Sequence, residues 1–182
     1  MYMKEFVEEI LRLYYAKMRE PKFEEILVAT ENTMLQEKGC CFVTLYLGGE
    51  IRGSAGNIKE IHTTLREELY ANTIQALTSD KRFPPLTLEE SRTLKFRCDF
   101  IPATGRKMIS EAELKALDPS KSGVIVIKRD YEKIAVILPN MSPKLLIGAD
   151  FIPVLCKKLW EKKFNEKDYI IYQIETQIET NY

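Results

Sequence analysis

Apolar side chains recur at helical spacing through the first eighteen residues of the chain. They are Met3, Phe6, Val7, Ile10, Leu13, Tyr14 and Met18. Side chains three or four positions apart share one face of a helix, so this pattern predicts an amphipathic opening helix. Pro21 lies just beyond its expected end.

An apolar run followed by a glycine pair predicts a β-hairpin. CFVTLYL, residues 41–47, is apolar on both faces, which is typical of an inner strand. Gly48 and Gly49 favour a two-residue turn, and EIRGSAG, residues 50–56, is the expected return strand.

A second amphipathic helix is predicted over residues 63–80, with Thr63 or Thr64 as its N-cap. Its apolar side holds Leu65, Leu69, Thr73, Ala76 and Leu77. KRFPPLT, residues 81–87, is expected to be an irregular extended link, because its prolines have no amide hydrogen to donate.

The remaining segments predict a sheet and one late helix. The predicted strands are LKFRCDFIP, GVIVIKRD and KIAVILP, residues 94–102, 123–130 and 133–139, the last two joined near Asp130. Residues 149–160 predict a helix with Pro153 in its first turn, and alternation over residues 168–180 predicts one long closing strand. Strands linked by hairpins, with helices around them, indicate an α+β fold with a mainly antiparallel sheet and flanking helices.

Length and charge set the class of protein. With 182 residues, we expect a single domain over 1–182. Lys+Arg and Asp+Glu are equal at 27 each, so no overall basic field favours nucleic-acid binding. The N-terminus is charged and the longest aliphatic runs are strand-sized, so we expect a cytoplasmic protein that does not bind a membrane.

Cysteine and histidine usage argues against a metal site. Cys40, Cys41, Cys98 and Cys156 show no C-x-x-C spacing, and His62 is the only histidine. We therefore expect buried, reduced thiols, no disulfide, no metal and no cofactor.

Ser54 in IRGSAG, residues 51–56, is the first candidate for chemistry, but known serine motifs fit it poorly. A hydrolase elbow needs glycine at Arg52, and a phosphate-binding P-loop needs lysine at Ser54. Nothing in the sequence brings His62 back as a base. The alternative is a small residue in a bend, where Gly53 and Gly56 allow backbone conformations closed to other residues.

Polar residues around this segment form a second candidate. Arg52 could bind an external anion, or it could pair with an internal acid such as Asp80. Arg52, Asn72, Asp80 and Arg82 are expected to converge on one pocket beside the Phe83-Pro84-Pro85 corner. The alternative is a network of ion pairs at the end of a helix.

The order of these motifs resembles the AMMECR domain family, whose members include protein A of the AmmeMemoRadiSam system. The segments GCCFVTLYLGGEIRGSAGNI, SDKRFPPLTLEE, SGVIVI and AVILPNM carry the resemblance, which is strongest over residues 39–160. It implies an α+β fold with a larger and a smaller subdomain in one compact unit, and an intracellular protein without a settled activity. It also implies a Memo-like protein or a radical S-adenosylmethionine enzyme as a possible partner.

The chain departs from this family at two positions. The family hallmark is L-R-G-C-I-G, so Ser54 occupies the cysteine position, and Ser122 stands where a family histidine precedes glycine. Without thiolate and base, a cysteine-type enzyme is not expected. The resemblance leaves a ligand-binding set of Arg52, Gly53, Ser54, Gly56, Asn72, Asp80 and Arg82.

Three functions remain open from sequence. The first is a non-catalytic accessory that binds a small anionic ligand or a partner protein of the Memo and radical-enzyme pathway. The second is an enzyme with a remodelled active site around IRGSAG. The third is a nucleic-acid-associated or scaffolding regulatory module, which the neutral charge does not favour.

Overall fold

A computed structural model describes residues 3–17, 19–26 and 33–182, so Met18 of the predicted apolar stripe lies outside the described residues. The chain divides into two compact units. Unit 1 comprises Met1–Phe100 and Gln177–Tyr182, and unit 2 comprises Ile101–Thr176. The assignment of the chain to a single domain stays a prediction.

Six helices and eight strands are found in the described residues. In chain order they are α1 (Met3–Lys17), α2 (Thr33–Gln36), β1 (Cys40–Leu47), β2 (Glu50–Gly56), α3 (Leu65–Thr78), α4 (Leu88–Ser91), β3 (Lys95–Ile101), β4 (Arg106–Ile109), α5 (Glu111–Ala116), β5 (Gly123–Lys128), β6 (Ile134–Ile137), α6 (Phe151–Leu159), β7 (Tyr169–Ile174) and β8 (Gln177–Thr180). The predicted α+β fold with antiparallel strands is confirmed.

Unit 1 is a four-stranded sheet in the order β2-β1-β3-β8, with α1 and α3 packed together. The predicted hairpin is confirmed: Gly48 and Gly49 both have positive φ angles, 59° and 87°, as a two-residue turn of this kind requires. The apolar face of α1 and one face of β1 share a single core.

Helix α3 begins where its capping residues predict. Thr64 accepts a hydrogen bond from the amide of Glu67, and the Glu67 carboxylate accepts one from the amide of Thr64. This reciprocal pair satisfies two amides at the helix start. The helix then packs along β1 and β2, and the carbonyl of Ala76 in its last turn lies against Gly53 of β2.

Unit 2 is a second four-stranded antiparallel sheet, in the order β4-β7-β5-β6. Helix α6 packs on β6 and supplies Phe151, Leu155 and Leu159 to the core of this unit. Pro153 lies in the first turn of α6, where the missing amide costs nothing, so that prediction is confirmed.

The long closing strand was a wrong prediction. The chain forms β7 and β8 instead, and these belong to different sheets: β7 pairs with β4 and β5, whereas β8 pairs with β3. Between them, the amide of Glu175 donates to the carbonyl of Gly105. The alternating pattern continues through the break, so periodicity alone could not reveal it.

Candidate functional site

Arg52 is an extra residue in strand β2. Leu45 pairs with Gly53 and Tyr46 pairs with Ile51, so Arg52 has no partner on β1. Such a β-bulge bends the strand and redirects a side chain. The bulge therefore lets Arg52 reach past the edge of the sheet.

Each nitrogen of the Arg52 guanidinium donates a hydrogen bond within the molecule. Its Nε donates to Glu90 Oε1 at 2.7 Å and its Nη2 to Glu90 Oε2 at 3.0 Å, which is a bidentate pair. Its Nη1 also donates to the carbonyl of Pro84 at 2.9 Å. Arg52 thus pairs with an internal acid, which is Glu90 and not Asp80, and these bonds hold the pKa of Glu90 at about 2.

Asp80 follows the end of α3 and binds both strand β2 and its own loop. It accepts hydrogen bonds from the side chain of Arg82, at 2.6 and 3.0 Å, and from the backbone amide of Ser54 at 2.9 Å. These donors, with Arg82 first, lower the pKa of Asp80 to about 2. The carboxylate therefore ties the edge of β2 to the loop after α3.

Phe83 lies between the two arginines. The guanidinium carbons of Arg52 and Arg82 are 5.7 and 5.3 Å from the centre of its ring, within the range of cation–π attraction. The side chain of Arg82 is 58% exposed and that of Arg52 only 12%. We call Arg52, Asp80, Arg82, Phe83 and Glu90 the charged corner.

The Ser54 side chain makes one hydrogen bond among the described residues, and its partner is not a base. Its Oγ lies 3.1 Å from the hydroxyl oxygen of Thr44, which faces it on β1. A serine nucleophile needs a neighbouring group that takes its proton, and threonine cannot do so at neutral pH. The described contacts therefore make Ser54 a link between β1 and β2.

The glycines of IRGSAG have a different purpose from the one predicted. Positive φ occurs at Gly48 and Gly49 but not at Gly53 or Gly56, so unusual backbone angles do not explain the last two. A Cβ at Gly53 would collide with the carbonyl oxygen of Ala76 on α3. One at Gly56 would strike the ring of Phe42, so both glycines allow close packing.

Asn72 belongs to a separate cluster inside unit 1. The side chain, 1% exposed, donates to the carbonyl of Cys41 at 3.2 Å and lies 3.4 Å from Glu68 Oε2. Glu68 is fully buried and also accepts from the side chain of Asn57 at 2.8 Å and from the backbone amides of Ile61 and His62. We call Asn57, Glu68 and Asn72 the buried polar cluster.

The predicted residues thus fall into two groups. Hydrogen bonds link Ser54, Asp80 and Arg82, and Arg52 lies near them because both guanidinium groups contact the ring of Phe83. Asn72 instead lies with Cys41, whose side chain shares the core face of the sheet with Ala55, whereas Ser54 faces the other way. The use of these residues as a ligand site stays a prediction.

Two acids that organise the clusters were missed from sequence, although each left a signal. Glu90 follows Thr87 by three positions and forms a capping box with it at the start of α4. Glu68 lies three positions after Leu65 and four before Asn72, which puts it on the buried side of α3.

Cys41 and Cys98 are poor candidates for a nucleophile in place of Ser54. Cys40, Cys41 and Cys98 are buried, Cys156 is half-buried, and none of these four described cysteines forms a disulfide. Burial raises the pKa of both the Cys41 and Cys98 thiols, which keeps them protonated and unreactive.

Ser122, at the position of the family histidine, lies in unit 2. It is buried, and its hydroxyl accepts a hydrogen bond of 2.9 Å from the side-chain amide of Gln173 on β7. Within the described ranges, no group of three or more histidine, cysteine or acidic side chains could hold a metal ion. No described helix has the length and apolar character needed to cross a membrane.

Comparison with known proteins gives consistent matches. The sequence model of the AMMECR1 family matches residues 6–178. A Thermotoga maritima protein is 31% identical over 68% of this chain and 69% of its own length. Protein TV1384 of Thermoplasma volcanium is 26% identical over 80% and 73%. The crystal structure of the uncharacterized protein PH0010 of Pyrococcus horikoshii has a TM-score of 0.79, with 21% identity, over 97% of this chain and 88% of that one.

Proposed function

Since the chain belongs to the AMMECR1 family, we propose that it is a non-catalytic binding protein whose charged corner contacts a partner protein. The observation that carries this proposal is the pair of guanidinium groups held against Phe83 by internal carboxylates. Arginine and aromatic side chains are the residue types enriched where protein interfaces gain most of their binding energy.

The corner is held in shape before any partner binds. Arg52 donates hydrogen bonds to the backbone carbonyls of Pro84 and Pro85, and each proline has a restricted backbone. Arg82, Pro84 and Pro85 are exposed beside the half-buried ring of Phe83. A surface fixed in this way loses little conformational entropy on association, which supports binding as its use.

The same geometry supports a partner protein over a small anion. Glu90 and Asp80 already neutralise Arg52 and Arg82, so an anion must displace an internal carboxylate. The exposure of Arg82 keeps a small anionic ligand as the second candidate. Inorganic phosphate at millimolar concentration that shifts the NMR signal of the Arg82 side chain would favour that candidate.

The partners to test first are those that the resemblance implies, a Memo-like protein and a radical S-adenosylmethionine enzyme. Titration calorimetry with each purified protein should detect binding to one of them. Arg82→Ala and Phe83→Ala should each weaken it by about tenfold or more, as expected for central interface residues.

Arg12→Ala is the matched control. Arg12 is similarly exposed, lies in the same unit, and pairs with Glu9 on its own helix. Its loss should leave the affinity unchanged. Absence of binding to both candidates, or equal losses for Arg12→Ala and Arg82→Ala, contradicts the proposal.

The absence of serine catalysis is tested separately. A fluorophosphonate probe, read by whole-protein mass spectrometry, should leave the wild type unlabelled, because the hydrogen-bond partner of Ser54 Oγ is Thr44, which is not a base. Labelling that disappears in Ser54→Ala would instead support an enzyme with a remodelled active site.

A further inference from the structure

An exposed aromatic and basic surface lies on unit 2, outside every motif considered so far. Trp160, the only tryptophan of the chain, ends α6 in the left-handed conformation and is 89% exposed. Lys157, Lys162 and Lys163 lie within three positions of it and are also exposed. An almost completely solvated tryptophan is unusual in a folded protein and marks a contact surface.

A second element brings more apolar area to the same place. Lys133 Nζ, beside β6, binds Glu161 Oε1 at 2.8 Å, which joins the start of β6 to the residue after Trp160. Tyr131 and Ile134, on either side of this link, are 70% and 48% exposed. We call Trp160, Tyr131, Ile134, Lys157, Lys162 and Lys163 the Trp160 surface.

Strand β6 offers backbone groups at this surface because it is an edge strand, last in the order β4-β7-β5-β6. The amide of Lys128 donates to the carbonyl of Lys133, and bonded and non-bonded pairs alternate along an antiparallel ladder. The backbone groups of Ile134 and Val136 therefore point away from β5, where an added strand could pair with them.

The charge of the Trp160 surface indicates which kind of added strand could bind there. The three lysines have no ion-pair partner among the described residues, and unit 2 as a whole carries 13 Lys and Arg against 10 Asp and Glu. We propose that the Trp160 surface binds an extended, acidic segment of a partner protein, which adds to the edge of β6 and packs an apolar side chain on Trp160.

A protein segment suits this surface better than other anions. An extended segment can pair its backbone with the edge of β6, whereas a membrane surface offers no backbone groups for such pairing. A nucleic acid could stack on Trp160 but would gain nothing from Ile134 or from the edge of β6. This proposal concerns unit 2 and does not depend on the charged corner.

The test uses the whole chain and a display library of short random peptides. Selection should enrich peptides in which acidic and apolar residues alternate. A synthetic copy of an enriched peptide should shift the fluorescence emission of Trp160 to shorter wavelength, and no other tryptophan contributes to that signal.

Charge reversal provides the matched pair of variants. The double variant Lys162→Glu with Lys163→Glu should weaken binding of the synthetic peptide by about tenfold or more. The double variant Lys121→Glu with Lys144→Glu, elsewhere on unit 2, should change the affinity for that peptide less than about twofold. Equal effects of the two pairs, or selection of basic peptides, would overturn the proposal. An emission shift with phosphatidylserine vesicles or with oligothymidylate, without any enriched peptide, would overturn it in favour of a membrane or a nucleic acid.

Discussion

The buried polar cluster and the charged corner are both anchored to α3, yet their surroundings differ. Glu68 lies inside unit 1 and receives its hydrogen bonds from amide groups. Asp80 lies just beyond the helix end, and its main partner is the exposed guanidinium of Arg82. One helix thus supports a buried polar network at its middle and a partly exposed ionic network at its end.

This difference indicates which residues near IRGSAG contribute to folding stability and which are available to contact a partner protein. A buried polar group that loses its partner has no water to replace it, whereas an exposed ion pair is readily rehydrated. Substitution in the buried polar cluster should therefore cost folding free energy, and substitution in the charged corner should mainly cost binding.

The largest effect is expected for Glu68→Ala. It leaves the amides of Ile61 and His62 and the side chain of Asn57 without their acceptor, so unfolding free energy should fall by about 3 kcal/mol. Urea denaturation followed by circular dichroism measures it. Glu67→Ala, the neighbouring capping residue, should cost only about 1 kcal/mol. Equal costs would show that the burial of Glu68 has no energetic weight.

Gly53→Ala is expected to come next. Its new methyl group would collide with the backbone of Ala76, which cannot move without displacing the helix that carries both clusters, so we expect a loss of about 2 kcal/mol. Gly49→Ala is the comparison, because it has open space and only an unfavourable positive φ, worth about 1 kcal/mol. Urea denaturation of both variants decides whether close packing or the turn is the stricter requirement.

A smaller effect is expected for the ion pair of the charged corner. A double-mutant cycle of Arg52→Ala and Glu90→Ala should give a coupling of about 1 kcal/mol, because the pair is bidentate and partly buried. The exposed pair Arg12 and Glu9 should give a smaller coupling in the same kind of cycle, because water screens it. A coupling near zero for Arg52 and Glu90 would place the charged corner among ordinary surface pairs.

The smallest effect is expected when the pH is lowered and Asp80 becomes protonated. Since the pKa of Asp80 is lowered to about 2, its bonds stabilise the corner above about pH 4 and are lost as pH falls towards 2. The NMR shift of the Ser54 amide, which donates to Asp80, should follow that titration. Removal of the strongest donor in Arg82→Ala should move its midpoint up towards 3.8, the ordinary value. A wild-type midpoint already near 3.8 contradicts the pairing.

Much of the local structure was predictable from the sequence, because it depends on neighbouring residues. The positive φ angles of Gly48 and Gly49 and the cap at Thr64 follow from turn and helix-end chemistry. Pairing across long separations was not predictable. The tail alternates in one continuous pattern, and only tertiary structure decides that β7 and β8 join different sheets.

The candidate site shows the same limit. Residue types and motif order singled out Arg52, Asp80 and Arg82, and the structure connects them through hydrogen bonds and Phe83. The acid that pairs with Arg52 is 38 positions away, and nothing in the sequence distinguishes Glu90 from the other acids except its place in a capping box. The sequence grouped Asn72 with the arginines because it does not reveal which side of the sheet this side chain faces. That side is decided by packing.

The division of unit 1 into two stretches of chain has a consequence for biosynthesis. Helix α1 is also tied to β8, since the amide of Lys4 donates to the side chain of Glu179. The ribosome synthesises residues in order, so β3 leaves it with one edge unpaired. That edge can be covered by β8 only after all of unit 2 has been synthesised. During that interval the nascent chain presents an unpaired strand, the form of backbone most prone to aggregation. Slow synthesis of unit 2 should therefore lengthen the time during which the incomplete unit 1 needs a chaperone.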